Sequence, residues 1–362
     1  MTGLREDCKL VFCVGVGGVG KTTFAAALGL REALLGRSVL VLTADPAKRL
    51  ADALGMYGLR DDPSTISLPE GAKGGELHAA MLETKTSADA IIRRAAQSET
   101  RAQRVLDNKI YQAFSNTLAR SHAYAAMERV HEAIRDPRYE LVIVDTPPAQ
   151  SAIEILEAPA RLVRFLDQRV VRWFLQPVDG STRLRGGALA RRLLTTIAGE
   201  SLVAALTDFL GEMAFLREGF SERARDVRDT MRSSDTEFIL VSSADSVGVE
   251  AARSVADEVV RRGFVLGHIV FNRAFISGVD VTDVTDVGDG GYPSALAELA
   301  PTLERMRAWF ADEQARKRVV IEKFCREQGR GAWILPEATK PLGSRLALSA
   351  WISAGRSIQP PA

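Results

Sequence analysis

The chain has 362 residues and 39.3 kDa, enough to bury a sizeable core as one large α/β domain or two smaller ones. Lys plus Arg (47) nearly balances Asp plus Glu (46), so no global field argues for nucleic acid or an anionic membrane as partner. Three scattered cysteines, Cys8, Cys13 and Cys325, without a C-x-x-C pair, exclude a disulfide framework and a four-thiolate zinc site and fit a reducing, cytoplasmic setting. No leader pattern and no run of 18 apolar residues is expected, so any membrane contact would be peripheral.

The first apolar run, residues 10–14, reads as a buried strand and breaks into Gly15, Gly17, Gly18 and Gly20 before Lys21-Thr22-Thr23 and a helical pattern. Gly15-x4-Gly20-Lys21-Thr22 satisfies the phosphate-loop pattern, with the strand before it and the helix after it that the motif requires. The residue types carry the chemistry. Glycines let successive N–H groups of Gly17, Gly18, Val19 and Gly20 face phosphate oxygens, and the helix start at Lys21 to Thr23 adds its dipole. Lys21 reaches the β- and γ-phosphates and the Thr22 hydroxyl serves Mg²⁺. The nucleotide and the metal are the expected cofactors.

A second apolar run, residues 38–43, ends in Ala44-Asp45-Pro46-Ala47. A carboxylate at the carboxyl end of a buried strand lies where open α/β sheets bind ligands. From position alone, Asp45 either handles the hydrolytic water or caps the segment that follows. Residues 56–75 read as a loop enclosing a short strand at 64–68, and residues 76–135 as long, charged helices lying outside the sheet. His122 and His131 are nine positions apart, do not share a helical face, and read as surface or packing residues.

Residues 140–148 form an apolar strand ending in Asp145-Thr146-Pro147-Pro148, which looks like a Walker B strand whose aspartate holds Mg²⁺ through water or Thr22. Residues 150–232 carry denser helical stripes with interleaved arginines, read either as mutual packing or as a groove for an apolar partner helix. Strands follow at 237–243 and 266–273, the latter ending in Asn272-Arg273. The Asn272 amide offers donor and acceptor together, as an adenine edge requires. The acidic, glycine-containing residues 276–294 read as a flap; a resemblance to a Ca²⁺ loop fails for want of the closing glutamate. A charged helix at 295–328, a last strand at 332–335, and an amphipathic helix at 344–355 complete the chain. Pro336, just past that strand, joins Asn272 as a nucleotide-binding candidate. The alternation predicts an α/β fold: one doubly wound, mostly parallel sheet of P-loop NTPase type in a single domain, with helical insertions at about 76–135 and 150–232 forming a helical subdomain.

Four blocks together resemble the ArsA-type ATPases, the arsenite-pump and tail-anchored-protein-targeting branch of the deviant Walker A class. They are Gly15 to Thr23, similar to GKGGVGKTT; Ala44 to Ala53, similar to TDPAHSLSDA; Asp145 to Pro148, similar to the start of DTAPTGHT; and Phe271-Asn272-Arg273, similar to VVNR. The resemblance implies a Mg-dependent ATPase that couples nucleotide state to a conformational change. In it Asp45 opens switch I and activates the water, Asp145 opens switch II, and Asn272 reads adenine. It also implies a homodimer, or a heterodimer with a paralogue, acting on a protein client with an apolar helix or on a peripheral membrane partner. Two departures stand out. Val16 replaces the signature lysine that reaches the partner's phosphates, and cations in such roles contribute roughly 10³ to 10⁵ in rate. Slow hydrolysis, a lysine-bearing paralogue, or a non-hydrolysing nucleotide-bound scaffold therefore all remain open. The scattered cysteines supply neither a zinc-bridged dimer nor a soft arsenite site.

Overall fold

The computed structural model describes residues 4–44, 49–60, 62–81, 98–108, 111–112, 122–147, 199–276, 300–338 and 341–359, with isolated positions at 89, 92–93, 96 and 196. Asp45, Pro148, the flap at 277–294 and the stripes and arginines of 150–195 lie outside the described residues.

Among the described residues nine strands form one sheet: β1 (Leu10–Val14), β2 (Ser38–Thr43), β3 (Ser64–Ile66), β4 (Glu76–Met81), β5 (Leu141–Asp145), β6 (Thr236–Ser243), β7 (Leu266–Ile276), β8 (Ala332–Glu337) and β9 (Arg356–Ile358). Their order is β3-β4-β2-β5-β1-β6-β7-β8-β9. All neighbours pair parallel except the two edges, β3 with β4 and β8 with β9. This is the doubly wound, mostly parallel arrangement that the alternating pattern predicts. Every residue of β1 and β5 is buried, which is why these strands read as unbroken apolar runs rather than as an alternation. After β5 on one side of β1 the chain crosses to β6 on the other, and such a reversal opens a crevice at the carboxyl ends of the central strands.

Two compact units are present. The first comprises Met1–Met81, Asp136–Gln150 and Arg232–Ala362 and contains the whole sheet; the second comprises Leu82–Arg135 and Ser151–Met231. In the first, the helix Lys21–Leu34 (α1) buries Phe24, Ala25, Leu28 and Leu30 against the sheet. Its small residues permit close approach: a Cβ on Gly29 would meet Val41 at 2.5 Å. The terminal helix Arg345–Ser353 packs Leu348, Trp351 and Ile352 into the same apolar cluster. Around β6, Phe238 stacks between Phe12 and Phe264 with centroids 4.9 and 4.8 Å apart. In the second unit, Asn108 donates to the Ala205 carbonyl at 3.0 Å, and Arg135 pairs with Asp226 at 2.9 Å on the helix Glu200–Arg232. His131, 8% exposed, lies 3.7 Å from the same Asp226, an ion pair only when the imidazole is protonated.

Several element boundaries differ from the sequence expectation. Residues 76–81, expected to start a helix, form β4, because Leu77, Ala79 and Ala80 find burial beside β2 in full parallel register. Tertiary pairing here overrides the helical preference of Ala-Ala-Met. The last parallel strand runs on to Glu337 and so includes Pro336, and the chain closes with β9, antiparallel to it, where no strand was expected.

Candidate nucleotide site

The phosphate loop begins where β1 ends. A Cβ on Gly15 would lie 2.1 Å from the Val241 carbonyl oxygen of β6, and one on Gly20 would lie 2.3 Å from Nδ2 of Asn272. Gly20 also stands at φ 92 as the N-cap of α1, so both sterics and conformation require glycine there. Gly17 and Gly18 form the exposed tip of the turn, while Val19 is buried below them. Lys21, 7% exposed, folds back and donates from Nζ to the Val16 carbonyl at 2.8 Å, which holds its ammonium over the loop. Thr23 lies half-buried in the first turn of α1. Val16 itself packs, partly buried, against the apolar cluster.

The two aspartate-bearing segments are separated by a hundred residues and fare differently. Asp145 is fully buried at the end of β5, in register with Thr43 of β2 on one side and Cys13 of β1 on the other. Its Oδ2 accepts from Thr22 Oγ1 at 2.8 Å and from Thr43 Oγ1 at 2.8 Å. The next residue, Thr146, donates to the Cys13 carbonyl at 2.7 Å and fixes the start of the following segment onto β1. Asp45 lies outside the described residues, one position beyond Ala44, whose N–H donates to the Asp145 carbonyl at 3.3 Å.

Asn272 sits on β7, 7% exposed, opposite Ser243 of β6. Its Nδ2 donates to the Val19 carbonyl at 2.9 Å, and its Oδ1 accepts from the Arg273 N–H at 2.8 Å. The amide therefore tethers the phosphate loop. Pro336 is buried on β8 opposite Phe275, and its carbonyl accepts the Trp351 indole N–H at 2.8 Å.

The site is an oxygen-donor site. Burial pushes the Cys13 thiol well above its ordinary value, reinforced by the charge of Asp145 and opposed by Lys21, so it stays a neutral packing group. Burial likewise pushes Cys8 up to about 12 and Cys325 up to about 11. Among the described residues no cluster of three or more His, Cys, Asp or Glu could hold a metal. The Thr22 hydroxyl and the Asp145 carboxylate instead offer hard oxygen donors of the kind Mg²⁺ takes alongside substrate phosphates. They stand beside a loop in which side chains are sterically excluded at Gly15 and Gly20. The residues present thus fit a metal–nucleotide complex. Thr43 and Thr146 were not singled out from sequence; each reads there only as a polar residue at the end of an apolar run, beside a conspicuous aspartate.

Residues 8–284 match a family described as anion-transporting ATPase, ArsA type. The chain belongs to this ATPase family. The ArsA resemblance of the four sequence blocks is therefore borne out, as is the assignment of the chain as an ATP-binding ATPase of α/β P-loop type. Similar proteins include an uncharacterized protein of Streptomyces coelicolor, 26% identical over 83% of this chain and 69% of the relative. Others are the ATPase ASNA1 homolog of Cryptosporidium parvum, 23% identical over 78% of this chain and 70% of the relative, and the ATPase get3 of Aspergillus terreus, 23% identical over 88% and 90%. No helix among the described residues is long and apolar enough to cross a membrane.

Proposed function

We propose that this ArsA-family ATPase hydrolyses ATP with Mg²⁺ held at Thr22 and Asp145, and that its nucleotide state drives a conformational change used to bind and release a partner. The observation that carries this reading is the hydrogen bond from Thr22 Oγ1 to Asp145 Oδ2, which joins the phosphate loop to the end of β5 across 123 positions of sequence. Loop amides of Gly17, Gly18, Val19 and Gly20 bind the phosphates, with Thr23 in the first turn of α1 beside them. Lys21 exchanges its hold on the Val16 carbonyl for phosphate oxygens. A bound Mg²⁺ supplies neutralisation of charge on the β- and γ-phosphate oxygens. Asp45 orients the attacking water. Asn272, within β7, and Pro336, near the carboxyl end of β8, flank the adenine.

Loss of the γ-phosphate releases the segments that follow Asp45 and Asp145, the order-to-release transition by which nucleotide switches act. Those segments lead toward the insertions Leu82–Arg135 and Ser151–Met231, which on this reading form a helical subdomain and bear the partner site. The partner is a protein client with an apolar helix or a peripheral membrane component, met by a dimer of this chain or a heterodimer with a paralogue in the cytoplasm; nucleic acid is not a partner. A second reading is favoured by Val16, which packs against the core and presents no cation. On that reading the chain hydrolyses slowly or not at all and serves as a nucleotide-bound scaffold.

Phosphate release from ATP by the purified chain tests the proposal, with and without a chelator and with Asp45→Asn and Val16→Lys. Mg-dependent turnover lost in Asp45→Asn with ATP binding retained supports it. Undiminished turnover in Asp45→Asn sinks the water-positioning role, and turnover absent until Val16→Lys restores it supports the scaffold.

A further inference from the structure

We infer that Lys317, on the helix Ala300–Gln328, is a positioning residue for the nucleotide site and acts through Arg273 and Asn272 on the phosphate loop; this rests on the nucleotide-binding reading above. Three hydrogen bonds run in series. Lys317 Nζ donates to the Arg273 carbonyl at 3.1 Å, the Arg273 N–H donates to Asn272 Oδ1 at 2.8 Å, and Asn272 Nδ2 donates to the Val19 carbonyl at 2.9 Å.

The middle of this series is conformationally unfavourable by itself. Arg273 has φ 55, left-handed, and among the described residues it is the non-glycine with positive φ. An L-residue with a long side chain adopts that region only where its surroundings hold it there. The ladder between β7 and β8 cannot do so, because its register breaks between Phe271 and Phe275. The Lys317 ammonium takes the place of a ladder partner on the Arg273 carbonyl. Without it the backbone relaxes toward extended geometry, the Arg273 N–H turns from Asn272 Oδ1, and the amide loses the aim that brings Nδ2 onto the loop. That aim is demanding, since Nδ2 occupies the space a Cβ on Gly20 would fill.

The helix is well placed to carry the lysine. Beyond Lys317 it buries Ile321, Phe324 and Cys325, and the Phe324 ring meets the Phe271 ring edge-on at 5.6 Å, next to Asn272 in sequence. Helix and strand share a fixed seat there. The lysine, half-buried, reaches back from that seat with an apolar stem along the protein and a charged head at the carbonyl.

The test is a titration of the full chain with N-methylanthraniloyl-ATP alongside steady-state ATP turnover. Lys317→Met is expected to raise the Kd for this nucleotide, and KM with it, roughly threefold to tenfold, the worth of one such hydrogen bond, with kcat little changed. Lys317→Arg is expected to restore binding. Adding Arg273→Gly to Lys317→Met is expected to recover it as well, because glycine adopts φ 55 without a clamp. In an Asn272→Ala background Lys317→Met is expected to add nothing. Wild-type affinity in Lys317→Met, or an equal loss in the Asn272→Ala background, overturns the inference while leaving the proposed function intact. No nucleotide binding by the wild-type chain overturns both. Should Lys317→Met not fold, Lys317→Gln, shorter and uncharged, puts the same link to the same comparison.

Discussion

Thr43→Val removes the second hydroxyl on Asp145. Valine keeps the shape of threonine, so no cavity opens. What disappears is a 2.8 Å hydrogen bond between a donor residue 2% exposed and a fully buried carboxylate. A hydrogen bond to a charged group contributes about 1.5–3 kcal/mol net. Thr22 continues to donate to the same oxygen at 2.8 Å, so the lower part of that range applies, about 1.5–2 kcal/mol. Urea titration should show the unfolding free energy lowered by that amount, as a shift of the midpoint to lower urea with the slope unchanged. Because Asp145 is also the proposed metal residue, a similar loss of restraint at the reacting complex lowers kcat about tenfold, with KM little altered. Thr43→Ser, which keeps the hydroxyl, should stay near wild type in turnover. An unchanged midpoint and turnover in Thr43→Val refutes the reasoning. So does a Thr43→Ser variant as impaired as Thr43→Val, since packing by the methyl group would then be the cause.

Two further outcomes follow from the geometry. Gly20→Ala combines a Cβ 2.3 Å from Asn272 Nδ2 with a backbone at φ 92, strain of about 1–2 kcal/mol before the displaced amide is counted. A nucleotide titration should show binding lost where the wild type saturates, and retained affinity would show that the loop tolerates the shift. Glu237, 3% exposed, is held by Arg5 Nε at 2.8 Å and His268 Nδ1 at 3.1 Å. Burial alone raises its pKa, but the His268 hydrogen bond and the charges of His268 and Arg5 outweigh burial and hold the carboxyl below its ordinary 4.5. A depressed carboxyl stabilises the fold fully above its ordinary value and loses that contribution as pH falls through the native value. Glu237→Gln should therefore cost about 1–3 kcal/mol at neutral pH, with wild type and variant converging below pH 4.5 in urea titrations. A gap that is constant with pH would place the effect in packing instead.

Much of the site is legible in the sequence alone, and the physical reason differs from residue to residue. The loop from Gly15 to Thr23 is contiguous, and its glycines, lysine and threonine answer to local backbone chemistry and to one ligand. Asp145 was legible because a fully buried strand ending in a carboxylate is costly to place anywhere but at a site. Other features were not legible because they depend on neighbours remote in sequence. Residues 76–81 have the composition of a helix and become a strand only because β2 offers them a parallel partner. β9 exists only because β8 leaves an open edge.

By itself, then, the sequence determined the alternation of the central strands and helices, the phosphate loop, the aspartate opposite it and the family, because each depends on a run of adjacent residues. Only the tertiary structure decided which groups meet. It brought Thr43 beside Thr22 on one oxygen of Asp145, set the Asn272 amide against Val19 and Gly20, and laid Lys317 on the carbonyl of a left-handed Arg273. Hydrogen bonds act over about 3 Å and are blind to separation along the chain, so these contacts arise from strand order and helix packing and leave no signal in any single segment.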